Sequence, residues 1–275
     1  MKYPIQNRYQ SFRKRRKSLK EAKPQVNRRV AVPSFFTLMN LFSGFLSIIS
    51  VANGDLVLGA WLIVIAGLFD VFDGLMARLA NATSNFGIEL DSLSDMVSFG
   101  VAPGFLIYMF SLSELNMVGI LISAIPPLCG AVRLARFNVN ARLQPTMDHF
   151  IGLPIPAQAI ILAAFYLTFK ENVAFFSGLQ NGINTVLIPT IILLSFLMVS
   201  TIPFDKIPRF DKNTRRTQKG KFLLFSFYLV IIVLFRHYGL MMVFSIFILK
   251  GLITGGIHFF SEDFENDEDI IQDYN

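Results

Sequence analysis

The chain has 275 residues, 53% hydrophobic and 16% charged, against roughly 25% charged in an average soluble domain. With 29 Phe, 10 Met, a mean hydropathy of +0.53 and one cysteine, Cys129, the composition excludes a disulfide scaffold, a disordered chain and a cysteine-rich zinc module, and argues for a membrane protein over a soluble enzyme. The net charge of +6 sums a basic start and an acidic end around a nearly balanced middle, so it does not signal nucleic-acid affinity.

Residues 1–29 hold eleven Lys/Arg against one acid, Glu21. This arm is too long and too charged for a signal-peptide start, and the apolar run after it has no small-residue cleavage site. It reads as an uncleaved cytoplasmic arm that also touches anionic lipid. Nucleic-acid binding is the other reading of such charge, but no folded nucleic-acid module accompanies it. Apolar stretches long enough to cross a bilayer as helices follow at 33–53, 56–79, 95–113, 117–137, 153–170, 184–203, 222–237 and 239–260. The last two are separated only by Arg236 to Gly239. The expectation is therefore an all-α polytopic membrane bundle of about eight helices, a six-helix core plus a tight terminal hairpin. Its parts are a basic arm (1–30), a membrane core (31–205), a basic cytoplasmic loop (206–221), the hairpin (222–260) and an acidic tail (261–275).

Orientation follows from Lys and Arg, because cytoplasmic flanks carry their excess. The arm places the N-terminus inside. Alternating crossings then put Arg78, the Arg133/Arg136/Arg142 group and the seven Lys/Arg between Lys206 and Lys221 on the same side, leaving Lys170 and Arg236 outside. The expected location is the cell membrane, with any chemistry on these segments facing the cytoplasm.

The second stretch ends in LFDVFDGLMARLA, placing Asp70 and Asp73 one turn apart in an otherwise apolar helix. The third opens with ELDSLSDMVSFG, where Asp91 and Asp95 are again one turn apart. A short polar turn, Asn81 to Asn85, joins the two helices, so the four carboxylates can converge. Each Asp at mid-membrane costs on the order of 3 kcal/mol, and like charges repel. Arg78 offsets one charge of the four, so hard divalent cations, two Mg2+ or Mn2+ ions, are the expected partners and would come within reach of a phosphate substrate. Helix-end capping would account for Asp91 and Asp95 but leaves Asp70 unexplained.

The pattern Asp70-x2-Asp73-Gly74-x2-Ala77-Arg78-x8-Gly87-x3-Asp91-x3-Asp95 resembles the signature of the CDP-alcohol phosphatidyltransferases at all eight fixed positions. Gly74 and Ala77 leave room for a ligand against the helix, and Gly87 is expected to let the chain turn tightly. The segments PSFFTLMNLFSG (33–44), SDMVSFGVAPGFLIY (94–108), GAVRLARFNV (130–139), FIGLPIPAQA (150–159) and LMVSTIPF (197–204) are similar to the serine-accepting branch of that family.

The resemblance implies transfer of a phosphatidyl group from CDP-diacylglycerol to L-serine with release of CMP, and a homodimer. It implies Asp70, Asp73 and Asp91 as metal ligands, with Asp95 completing the acidic set and serving as general base to the acceptor hydroxyl. Gly74, Ala77, Arg78 and Gly87 would surround the nucleotide and phosphates, Arg78 as a charge-assisted donor. For the serine carboxylate the candidates are Arg133 and Arg136, three apart near the cytoplasmic end of the fourth stretch, and more weakly Asn138. Interfacial snorkelling is the bland reading of both arginines. Transfer to another alcohol, glycerol 3-phosphate or an inositol phosphate, is the alternative within the enzyme class. A divalent-cation transporter is the rival outside it, although no second Asp-rich pair of this spacing recurs. The three histidines lack metal-ligand spacing and no phosphate-binding G-x-x-x-x-G-K-[ST] loop is present.

Overall fold

A computed structural model describes residues 28–79, 84–143, 150–172, 178, 182–204 and 219–273. The basic arm before Arg28 and most of the 206–221 loop lie outside the described residues, as do the side chains of the acidic tail.

Helix α1 (Arg28–Ala52) turns at Gly54, whose φ of 87° a side chain would strain, into α2 (Leu56–Leu79). The Asp55 carboxylate caps the new helix by accepting from the Leu58 N–H at 3.0 Å. Gly59 lets the pair close: its missing Cβ would strike Val51, and the Ser47 hydroxyl donates to its carbonyl at 2.8 Å. The third membrane stretch has three parts, α3 (Asn85–Asp95), a π-helical turn (Met96–Val101) and α4 (Ala102–Phe110). A 3-10 turn (Leu112–Leu115) and a reversal at Asn116 lead into α5 (Asn116–Leu143), then α6 (Ile155–Glu171), α7 (Asn184–Val199) and α8 (Lys219–Asp273). One two-residue antiparallel pairing, Phe150–Ile151 with Pro203–Phe204, clips the segments leaving α5 and α7.

By length and composition, five stretches among the described residues can cross a membrane: Val32–Ala52, Leu56–Leu79, Asn85–Phe110, Leu112–Asn140 and Val230–Gly256, with Asn184–Val199 a shorter apolar helix. The last of the five contains a break at Arg236, at φ 52° and ψ −123°. A Cβ on Gly239 would strike the Ile231 carbonyl and Ile232 Cα. Residues eight apart in a straight helix are ~12 Å apart, so the chain reverses at Arg236 and α8 is the tight hairpin expected from the sequence. Each of the eight expected segments is largely helical, but several bounds differ. The third starts at Asn85 rather than 95, and the fifth and sixth contract to the 17 residues of α6 and the 16 of α7.

Helix α6 is the centre of the bundle. From Ala157 to Leu167 every residue is buried, and α2, α4, the π turn and α8 all pack on it. Its alanines at 157, 159, 163 and 164 permit that close approach. Helix α1 shows the opposite organisation. Phe35, Leu38, Phe42, Phe45 and Ile49 are exposed on one side, while Thr37, Asn40, Ser43 and Ser47 are buried on the other. In a bilayer that is a lipid-facing surface and a polar seam turned into the protein. The C-terminal end of α6 is tied to the tip of the hairpin, with Glu171 3.3 Å from His237 Nε2 and the Asn172 amide donating to the Tyr238 hydroxyl at 2.7 Å.

Candidate active site

The site lies at the end of the bundle where α2 finishes, α3 begins and α5 and α7 finish. Asp70, on the last turns of α2, meets Asp91 and Asp95 of α3, and one carboxylate oxygen from each lies within 4.8 Å of the other two. Asp73 stands beside Asp91, with the Thr37 hydroxyl and the Gly74 amide as its other polar neighbours. Asp73 and Asp95 are buried. Asp73 Oδ2 and Asp91 Oδ1 are enclosed without a hydrogen-bond partner.

Burying several carboxylates this way is untenable without compensating charge. Oxygens ~2.0–2.6 Å from a common hard cation lie no more than ~5 Å apart, so the Asp70/Asp91/Asp95 set fits a divalent metal ion. The orphaned Asp73 and Asp91 oxygens supply further acceptors.

Asp95 is held from α1. The Asn40 amide donates to its Oδ1 at 3.1 Å, and Asn40 is wholly buried. On either side of that bond, Ser94 Oγ donates to the Thr37 carbonyl at 2.8 Å and Ser98 Oγ to the Asn40 carbonyl at 2.9 Å. Gly44 lets the helices come this close, because a Cβ there would collide with the Ser98 backbone. None of Thr37, Asn40, Ser94 or Ser98 is apparent as a site residue from the Asp pattern. The available signal is the 3–4 residue spacing of Thr37, Asn40, Ser43 and Ser47 along an apolar helix.

The remaining sequence candidates separate. Arg133 is 6% exposed, lies within electrostatic reach of Asp95 and Asp70, and keeps Nε without a partner. Arg136 closes the end of α7, its Nη1 donating to the Val199 carbonyl at 2.7 Å and its Nη2 to those of Ser200 at 3.0 Å and Met198 at 3.3 Å. Asn138 donates to Ser92 Oγ at 3.0 Å, one turn from Asp95. Arg78 is exposed in the last turn of α2. Gly74 and Ala77 are partly exposed on the same helix, and a Cβ on Gly74 would meet open space, in keeping with room for a ligand there.

Gly87 corrects the sequence reading. It is not at a tight turn but in the first turn of α3, where its N–H is capped by Ser84 Oγ at 3.0 Å, and its φ is not positive. Residues 80–83, between α2 and α3, lie outside the described residues.

The model of the CDP-alcohol phosphatidyltransferase family matches residues 30–202, from α1 through the end of α7. The chain belongs to that family. A CDP-diacylglycerol–serine O-phosphatidyltransferase of Helicobacter pylori is 32% identical over 228 residues, covering 83% of this chain and 92% of the relative. The enzyme of that name from Bacillus subtilis is 38% identical over 183 residues, 66% of this chain and 92% of the relative. An archaetidylserine synthase of Methanothermobacter thermautotrophicus is 36% identical over 187 residues, 67% of this chain and 74% of the relative. Within the matched region the family signature falls on the end of α2 and on α3, the place where the carboxylates gather.

The two arginines therefore predict different phenotypes. Arg136→Ala removes three charge-assisted bonds to the end of α7 and should destabilise the detergent-solubilised protein by about 1.5–3 kcal/mol or more, read as a lowered thermal midpoint. An unchanged midpoint would remove Arg136 as the clasp.

Proposed function

We propose that this integral membrane enzyme transfers the phosphatidyl group of CDP-diacylglycerol to L-serine, giving phosphatidylserine and CMP. The observation that carries the reading is the gathering of Asp70, Asp91 and Asp95 beside Asp73. The names of the relatives, serine as acceptor in each, support the choice of alcohol. A match ending at residue 202 supports a catalytic core of 31–205, to which the hairpin is an addition.

Asp70, Asp73, Asp91 and Asp95 would hold Mg2+ or Mn2+, two ions in the proposed arrangement, which when bound supply Lewis-acid polarisation of the pyrophosphate. Arg78, exposed at the end of α2, donates to the phosphates of the donor, and Gly74 and Ala77 leave the helix surface open to the nucleotide. Asp95 takes the proton of the serine hydroxyl. The freed oxygen attacks the phosphorus of the phosphatidyl group, the bond from that phosphorus to the CMP oxygen breaks, and CMP departs with the electron pair. Arg133 receives the serine carboxylate. It is buried within electrostatic reach of Asp95, and its unpaired Nε leaves donor capacity, whereas Arg136 is engaged by the end of α7.

The site faces the cytoplasm in this reading, with the N-terminus inside, which supplies serine and the nucleotide from the same compartment. The Lys/Arg tally supports it. In a Cys129→Ser background, a cysteine at position 84 should react with a membrane-impermeant maleimide only from the cytoplasmic side. Labelling from outside would overturn the orientation.

The reaction is tested with purified protein, CDP-diacylglycerol and a panel of alcohols, products being identified by mass. Serine should give phosphatidylserine and equimolar CMP, and a product only with glycerol 3-phosphate or an inositol phosphate would replace the acceptor. Asp70→Asn, Asp73→Asn and Asp91→Asn should each lower CMP release by ~100-fold or more while the protein still inserts, and EDTA should do so reversibly. Full activity in any two variants, or in excess chelator, would remove the metal-centred chemistry. Arg133→Lys keeps the charge but loses the guanidinium fork. It should raise serine KM by ~10- to 100-fold with the KM for CDP-diacylglycerol nearly unchanged. A serine KM within about two-fold of the parent would return Arg133 to a structural role.

A further inference from the structure

Asn40 lies outside the Asp70–Asp95 signature, within the 33–44 segment, yet its bond joins the proposed base to a different helix. Asn40 is a polar amide on a helix whose neighbours Met39, Leu41 and Phe42 are apolar, and it is wholly buried. Its Nδ2 donates to Asp95 Oδ1 at 3.1 Å, while its own Oδ1 is enclosed without a partner. A packing role does not call for that arrangement. Leucine would fill a similar volume without leaving a buried acceptor unsatisfied.

The surroundings make the amide a rigid support. The Asn40 carbonyl accepts from Ser98 and the Thr37 carbonyl from Ser94, so the backbone that carries Asn40 is anchored one residue before Asp95, on α3, and three residues after it, in the π turn. The close approach at Gly44 and Ser98 fixes the separation of the two helices just beyond. A carboxylate with one oxygen pinned by a donor on such a frame has its second oxygen fixed as well, since the planar group turns as a unit about the Cβ–Cγ bond. Directly after Asp95 the helix widens into the π turn at Met96–Val101, an irregularity frequent at functional sites.

We propose that Asn40 is the positioning residue of the transfer reaction, setting the Asp95 carboxylate at the angle from which it takes the acceptor proton. The proposal rests on the assignment of Asp95 as base in the reading above. Asn40 acts through Asp95 and not on the donor lipid, so its loss falls on turnover and leaves donor binding in place.

The test compares Asn40→Leu, which removes the donor and keeps the volume, with Ser47→Ala, which breaks the bond to the Gly59 carbonyl in the polar seam of α1 and leaves the amide. For each, kcat and both KM values are measured alongside the thermal midpoint. Asn40→Leu should lower kcat by ~10- to 100-fold, the scale expected when a reacting group is displaced by a fraction of an ångström to an ångström. The KM for CDP-diacylglycerol should stay within about three-fold, under the same displacement of Asp95 alone. Ser47→Ala should keep kcat within about two-fold even if its midpoint falls, because one neutral hydrogen bond is worth only ~1 kcal/mol of stability.

An Asn40→Leu enzyme with parental kcat overturns the proposal. So does a loss of kcat that tracks the midpoint equally in both variants, which marks a structural seam, or a rise of about tenfold or more in the KM for CDP-diacylglycerol in Asn40→Leu, which would place Asn40 at the donor instead. Should the parent release CMP with another alcohol and not with serine, the acceptor assignment fails on its own. The same comparison is then read with that alcohol.

Discussion

Carboxylates held together in a medium that does not solvate them are the constraint on which this structure turns. Asp70, Asp91 and Asp95 share one small volume with Asp73 alongside, and their repulsion must be opposed by geometry and by charge. The geometry comes largely from packing between the helices. Gly59 closes α1 on α2, Gly44 closes α1 on the π turn, and the polar seam of α1 is pressed against the helix carrying Asp91 and Asp95. Helix α1 therefore does more than anchor the chain, since it forms one wall of the site while showing its phenylalanines to lipid.

The opposing charge is unevenly supplied. Arg78 is exposed at the helix end and Arg133 is buried within reach of Asp95 and Asp70. One buried guanidinium against four carboxylates leaves the site anionic, which is the physical case for a hard divalent cation there. The fold places these groups at one end of the bundle because successive helices alternate in direction. The ends of α2, α5 and α7 and the starts of α1, α3 and α6 all fall on the same side.

The carboxylates were legible in the amino-acid sequence because an Asp within an apolar helix is costly enough to demand a reason, and the fixed spacing supplied one. Cheaper residues were not. Asn40, Ser94 and Ser98 are of kinds that a membrane helix tolerates, and only their partners on another helix give them meaning. Hydropathy also misplaced the start of the third stretch. Glu89, Asp91 and Asp95 lower the apolar average, while the helix, capped by Ser84, begins at Asn85. The central position of α6 was hidden for a related reason. In a soluble protein a helix apolar all round must be buried, but in a bilayer lipid is as acceptable a neighbour as protein, so apolarity alone does not separate the centre from the rim. Gly87 was read as a turn residue because glycine permits turns. In the structure it serves the start of a helix.

Arg133 and Arg136 show how far spacing can carry a functional reading. Three residues apart on a helix, they point about 60° away from one another in azimuth and about 4.5 Å apart along the axis. From the sequence they are equivalent candidates for gripping a carboxylate. What separates them is the end of α7, whose last carbonyls have no helical partners and so take whichever cation stands opposite. Arg136 stands there and gives its guanidinium to Met198, Val199 and Ser200. That engagement fixes the end of α7 against α5, and the same contact leaves Arg133, one turn further into the bundle, facing Asp95 and Asp70 with Nε unclaimed. The structural arginine and the arginine proposed for the substrate are thus parts of one arrangement, in which satisfying a helix terminus leaves its neighbour available to the site.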